Sequence, residues 1–226
     1  MAVDRVLVFA KVPLAGSVKT RLTPPLPPDE AALLYEACLR DVVALCARER
    51  ARVELWYHQD ARAEGYFGRE FAHLLLAQQG AGHLGDKMRD AFERSFADGG
   101  ERVIIVGSDV PTLPEPVLNA ALDQIRESEL VIGPTRDGGY YLIGCTRAAW
   151  PRARSIFLDV AWSTDAVFRT TVASATRAQL QMRVLPGWYD VDTIDDLKQA
   201  LLDADPESNL SRWGTRPEAV HFVNAG

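Results

Sequence analysis

RVIIVGSD, residues 102–109, is the clearest strand in the chain. Its apolar run is continuous rather than alternating, the pattern of a strand covered on both faces at the centre of a parallel sheet. Polarity returns only at its carboxyl end, in Ser108 and Asp109, before Val110 and Pro111. Working outward, VLVFA (6–10), VELWYH (53–58), HLLLAQ (73–78), LVIGP (130–134), YYLIGC (140–145) and MRVLP (182–186) have strand composition. Between them lie stretches with helical spacing. One follows Asp29, with Leu34, Cys38, Val42 and Leu45 on one face, and another spans Leu84 to Ala97. Further helices are expected over VLNAALDQIRES, TDAVFRTTVASATRAQ and TIDDLKQALLDA. Asp29 and Ser163 stand where helix caps are expected, and the tail from Ser208 has no clear period. Strands alternating with helices imply one α/β domain over 1–226, its sheet mainly parallel and covered by helices on both faces.

Composition narrows the function. A chain of 226 residues, 47% hydrophobic and 25% charged, can bury one large core. A net charge of -6 argues against a broad nucleic-acid face. No apolar run approaches the ~20 residues that span a bilayer, and Lys11 interrupts the only N-terminal candidate for a signal peptide. Cys38 and Cys46 are spaced by about 12 Å along their helix, too far to bridge, and with Cys145 read as buried free thiols. A cytoplasmic location is expected, with no nucleic-acid or membrane partner, while the oligomeric state is left open.

The charge is distributed unevenly. Between Asp4 and Asp29 stand Arg5, Lys11, Lys19 and Arg21 and no carboxylate, with Gly16 and several prolines among them. This first loop reads as an anion cradle, and an exposed Lys19 would contribute little to stability. The other strand ends carry acids. GSDVP holds Asp109, the turn after LVIGP holds Asp137-Gly138-Gly139, and Asp190 and Asp192 follow MRVLP. Ligands of open α/β sheets bind outside the carboxyl ends of the strands, so cations and carboxylates gather at one rim. Each acid also has an ordinary reading: Asp109 as a turn residue, Asp137 in a hairpin turn, Asp192 as the cap of the TIDDL helix. GAGHLG (80–85) satisfies G-x-G-x-x-G, yet it follows the third strand and leaves the basic loop unexplained, which disfavours dinucleotide binding. His58, His73, His83 and His221 show no ligand spacing. Trp162 is the tryptophan to follow, because it adjoins the expected cap at Ser163.

FAKVPLAGSVKTRL, GSDVPTLP, GPTRDGGYYLIG, AWSTDAV and DVDTIDDL, in that order, resemble a family of rSAM/selenodomain-associated, glycosyltransferase-like transferases of the GT-A fold. The resemblance covers about residues 4 to 203. The lead-in Lys19-Thr20-Arg21-Leu22 is also similar to 2-phospho-lactate guanylyltransferase, and more distantly to molybdenum-cofactor and sugar-1-phosphate nucleotidyltransferases. The fold implied is a Rossmann-like, nucleotide-diphospho-sugar transferase domain with a mixed sheet. The resemblance implies that the loop from Lys11 through Gly16 to Arg21 wraps nucleotide phosphates. It places Mg²⁺ or Mn²⁺ on Asp109 and Asp192, with Asp190 the alternative second ligand, and brings Gly82, Leu84 and Gly85 to the base or ribose. The activity expected is a metal-dependent nucleotidyltransferase joining a nucleoside triphosphate to a small phosphorylated acceptor, with Lys19, Arg21 and Asp137 as catalytic residues. The alternative is a glycosyltransferase using a nucleotide-sugar donor, for which Asp190-Val191-Asp192 supplies a D-x-D pair.

Overall fold

The computed structural model of the chain describes residues 3–224. Seven strands form one sheet: β1 (Val3–Ala10), β2 (Arg52–Tyr57), β3 (Leu75–Gln78), β4 (Gly100–Gly107), β5 (Leu130–Pro134), β6 (Tyr140–Thr146) and β7 (Met182–Val184). Their order across the sheet is β3-β2-β1-β4-β6-β5-β7. All pairings are parallel except those of β6, which runs antiparallel between β4 and β5. The sheet is therefore mixed, as expected.

Helices α1 (Pro28–Ala47), α2 (Ala63–Glu70), α3 (Leu84–Ala97), α4 (Glu115–Glu127), α5 (Trp150–Ala153), α6 (Val167–Arg177), α7 (Ile194–Asp203), α8 (Asn209–Gly214) and α9 (Pro217–Asn224) complete the fold. Side chains of a strand alternate between its faces, and here both faces are apolar. Val6, Val8, Ile104 and Val106 pack with Leu39 of α1, Phe67 of α2 and Leu118 of α4. Leu7, Val103 and Ile105 pack on the other side with Phe92 of α3, Trp150 of α5 and Ala175 of α6. That double covering is why RVIIVG lacks alternation. A third cluster joins the far side of α1, through Leu34 and Cys38, to Leu22, Val191, Leu197 of α7, and Leu210 and Trp213 of α8. Buried on two sides, α1 is apolar around much of its circumference.

Several local expectations are corrected. Asp29 is not the cap of α1; Pro28 opens the helix, where its fixed φ fits the first turn and its missing N–H costs nothing. Ser163 caps nothing, because its φ of 65° is left-handed whereas a cap is extended, and α6 begins only at Val167. Thr193, not Asp192, caps α7, accepting a hydrogen bond from the Asp196 N–H while Asp196 accepts one from the Thr193 N–H. Beyond Ser208 the chain is helical over α8 and α9. Asp41 of α1 accepts hydrogen bonds from the Asn209 and Leu210 amides at the start of α8, docking a helix too short to show a period. Cys38, Cys46 and Cys145 are free and buried, as expected. No helix among the described residues is long and apolar enough to cross a membrane.

Candidate active site

The order in which strands are added to the sheet reverses between the parallel neighbours β1 and β4. From β1 the sheet grows outward through β2 to β3, while β4 begins on the other side of β1. A crevice opens at such a switch point, outside the carboxyl ends of the strands. Here it is a cleft of about 740 Å³, lined by Lys11 and Lys19 after β1, His58 after β2, Asp109 after β4, Asp137 after β5, and Asp190 and Asp192 after β7. Arg21, Leu84 and Trp162 line it as well, whereas Gly16, Gly82 and Gly85 do not.

Lys19 is not the exposed cation that the basic loop suggested. Its side chain is 2% exposed, and its ammonium forms an ion pair with Asp109 while donating to the Val191 carbonyl at 2.7 Å. Asp192 lies 3.8 Å from the same nitrogen, and Arg21 reaches the other oxygen of Asp192 at 3.1 Å. The reason lies far along the chain: the segment carrying Val191 packs over the loop through Leu22 and buries the lysine. A backbone hydrogen bond from Val191 to the Asp109 carbonyl fastens the two carboxylate-bearing loops together. Burial alone would lower the lysine's pKa, but the Asp109 carboxylate first, then Cys38 and Asp192, outweigh it and hold the pKa above its ordinary value. Lys19 itself has a left-handed backbone, φ 49°, a conformation that costs non-glycine residues about 1 kcal/mol or more. The buried ion pair holds it there.

Around this lysine the carboxylates crowd. Burial, then Asp192, Asp137 and Asp109, push the Asp190 carboxyl up to about 6. Asp137 occupies the hairpin turn between β5 and β6, the ordinary reading of that motif. Its Oδ1 accepts from the Thr135 hydroxyl and from the Gly139 amide at 3.0 Å. Gly138 has φ +90°, and a Cβ there would lie 2.1 Å from the Asp165 carbonyl, so the turn requires glycine.

The opposite end of the cleft is basic. Lys87, in the first turn of α3, donates to His58 Nδ1 at 3.0 Å, and Lys11 lines the same end. Tyr35 bridges toward the acid end, accepting from the Lys11 amide at 2.8 Å and sharing a 2.8 Å hydrogen bond with Ser108. Trp162 closes the wall over Gly85, where a Cβ would lie 2.5 Å from the indole. No local signal in the sequence marks His58, Lys87 or Tyr35 as a site residue. They come from three separate elements, and only their shared position at the strand ends connects them.

The rim of charges around a switch-point cleft, on a mixed sheet with one antiparallel strand inserted, defines a transferase of the nucleotide-diphospho-sugar transferase fold. The chain is similar to a solved structure from Desulfovibrio desulfuricans G20, provisionally assigned as a nucleotide-diphospho-sugar transferase. The two are 32% identical, with 97% of this chain and 94% of that one covered at a TM-score of 0.85. A cytidylyltransferase from Leptospira borgpetersenii serovar Hardjo-bovis shares the fold at 13% identity, covering 100% of this chain and 98% of that one with a TM-score of 0.58. In sequence it is 28% identical over 187 residues to 2-phospho-L-lactate guanylyltransferase of Methanothermobacter thermautotrophicus, covering 81% of this chain and 78% of that protein. The chain belongs to the DUF2064 family, described as an uncharacterized protein conserved in bacteria, whose model matches residues 41–164.

Proposed function

We propose that the protein is a nucleotidyltransferase that joins a nucleoside triphosphate to a small phosphorylated acceptor and releases pyrophosphate. The observation that supports this reading most is the division of one cleft into a basic end and an acidic end meeting at the switch point. A triphosphate needs cations along its tail, and acids where a divalent ion would sit. The similarity to a guanylyltransferase points the same way and makes GTP the first donor to test.

The donor set suits Mg²⁺ or Mn²⁺ as a pair of ligands rather than a complete cage. No group of three or more metal-binding side chains occurs among the described residues. Magnesium commonly takes one or two carboxylates and completes its shell with phosphate oxygens and water. Asp109 and Asp192 would hold it, with Asp190 as the alternative to Asp192. When bound, the ion would neutralise charge on the phosphate under attack.

The chain's own residues do the rest. Lys19 is a positioning residue, its ammonium holding Asp109 and Asp192 at one place on the rim. Arg21 is 70% exposed on its side chain, and its exposed ion pair with Asp192 leaves the rest of its guanidinium open to a phosphate from the solvent side. Leu84, half exposed at the start of α3, offers an apolar surface for a base or ribose, while Gly82 and Gly85 beside it make room for Asp86 and Trp162. Asp137, with Oδ1 engaged in its own turn, orients the acceptor through the other oxygen. An acceptor oxygen attacks the α-phosphorus, the bond to the bridging oxygen breaks, and its electron pair leaves with pyrophosphate. Positioning and charge carry such a transfer without a covalent intermediate.

A glycosyl transfer from a nucleotide-sugar is the second reading. It is favoured by the provisional assignment of the 32% identical structure and by Asp190 and Asp192 sharing the cleft. A coupled pyrophosphate assay with GTP, the other triphosphates and phosphorylated hydroxy acids separates the two. Acceptor-dependent pyrophosphate release is expected. Release of nucleoside diphosphate from a nucleotide-sugar, with no pyrophosphate from any triphosphate, would replace the first reading with the second.

A further inference from the structure

The basic end of the cleft has a property that the acid end lacks. Lys11, His58 and Lys87 come from the ends of β1 and β2 and the first turn of α3, and all three line the same cavity. Neither lysine makes an ion pair with a carboxylate among the described residues, although most surface cations of this acidic protein do. Asp60 is the one acid acting on His58, and it is held by the Arg62 amide at 2.8 Å and by the Arg62 guanidinium. Burial, then Lys87 and Lys11, push the His58 pKa down, and burial, then Lys11, push Lys87 down. The three groups are thus within electrostatic reach of one another, and neither lysine has a carboxylate paired with it among the described residues.

Protonation is readable as well. His58 Nδ1 faces the Lys87 ammonium, which can only donate. The ring proton therefore sits on Nε2, leaving His58 a donor on its far side. Two ammonium groups and one N–H, beside the positive end of the α3 dipole, match the donors a phosphate dianion takes. Asp109, Asp137, Asp190 and Asp192 would repel the same anion from the other end.

We propose that Lys11, His58 and Lys87 form a phosphate-binding subsite that holds a phosphoryl group of a substrate, apart from the Lys19 and Arg21 cations at the acid end. The phosphoryl group belongs either to the donor's triphosphate tail or to the acceptor. That choice rests on the nucleotidyl-transfer reading, whereas the subsite itself does not.

The test is calorimetric titration in phosphate-free buffer with inorganic pyrophosphate, GTP and 2-phosphoglycolate as probes. Wild type is compared with Lys11→Met, Lys87→Met and Lys198→Met, the last changing a lysine outside the cleft. Losing a hydrogen bond to a charged group should weaken pyrophosphate binding about tenfold in each cleft variant and by less than about twofold in Lys198→Met. The cleft variants should melt at or above the wild-type temperature, since each removes a repelling charge, so lost binding is not lost folding. An equal loss for GTP with none for 2-phosphoglycolate assigns the subsite to the donor's tail, and the reverse assigns it to the acceptor. Binding of all three probes within about twofold of wild type in both cleft variants overturns the proposal, as does a wild type that binds none of them. If pyrophosphate binding depends on Lys87 but no triphosphate yields pyrophosphate with any acceptor, the reaction falls and the subsite stands.

Discussion

The two ends of the cleft crowd like charges in different ways. At the acid end four carboxylates converge, and a buried ammonium, that of Lys19, is built into the protein to offset them. At the basic end Lys11, His58 and Lys87 converge, and among the described residues no carboxylate is paired with either lysine. An internal counter-ion makes the first arrangement part of the fold. The second is left for something that arrives from solution. Charge in a cleft is thus a guide to ligand binding only after the internal pairs have been taken out.

The comparison breaks most readily at Lys19. Lys19→Met should cost about 2–4 kcal/mol, since removing one partner of a buried pair strands the other charges, and the partial exposure of Asp109 and Asp192 sets the lower bound. Urea denaturation measures it, and a loss under about 0.5 kcal/mol would mean that the acid end does not depend on its ammonium. Next comes Gly85→Ala, which forces a methyl into the Trp162 ring beside the basic end and should destabilise by about 1–3 kcal/mol in the same experiment. A loss confined to the basic end would leave Lys19-dependent stability additive with it in the double variant.

Asp190→Asn sharpens the acid end with the opposite sign. The folded carboxyl titrates near 6 and the unfolded one near the ordinary value, so its proton stabilises the native state at low pH. That contribution disappears as pH rises from about 4 through about 6, where the buried charge appears. The asparagine variant should therefore melt with wild type at pH 4 and above it at pH 7.5. A difference independent of pH would point to packing instead of charge. Smallest of all, Arg21→Ala should change stability by less than about 0.5 kcal/mol, because its ion pair is exposed, while lowering pyrophosphate release in the coupled assay.

How much of this is legible in the sequence depends on the distance over which each feature is determined. The β4 run RVIIVG and the helix over 84–97 are local patterns, and both occur where periodicity puts them. The hairpin at Asp137 follows from its two glycines. The caps at Asp29 and Ser163 fail because neighbouring proline chemistry and a left-handed turn override side-chain preference. The burial of Lys19 is not a local property at all. It depends on Val191, 172 residues later, and no window around the basic loop contains it. The gathering of carboxylates at one rim is legible because the parallel strands all send their carboxyl ends there, whereas the pairing of Lys87 with His58 requires the actual placement of α3 beside β2.

The reach of that Lys19–Val191 contact also has a consequence in time. A chain is made from its N-terminus at roughly 5–20 residues per second, so 172 residues correspond to roughly 10–35 s of synthesis. For most of that interval the residues of β1, the first loop and α1 have been made, while the carbonyl and the Asp192 carboxylate that receive the lysine have not. Until then Lys19 lacks its partners at Val191 and Asp192. All seven strands are synthesised before Val191 and Asp192, so the acid end of the cleft closes only after the residues of the whole sheet have been made.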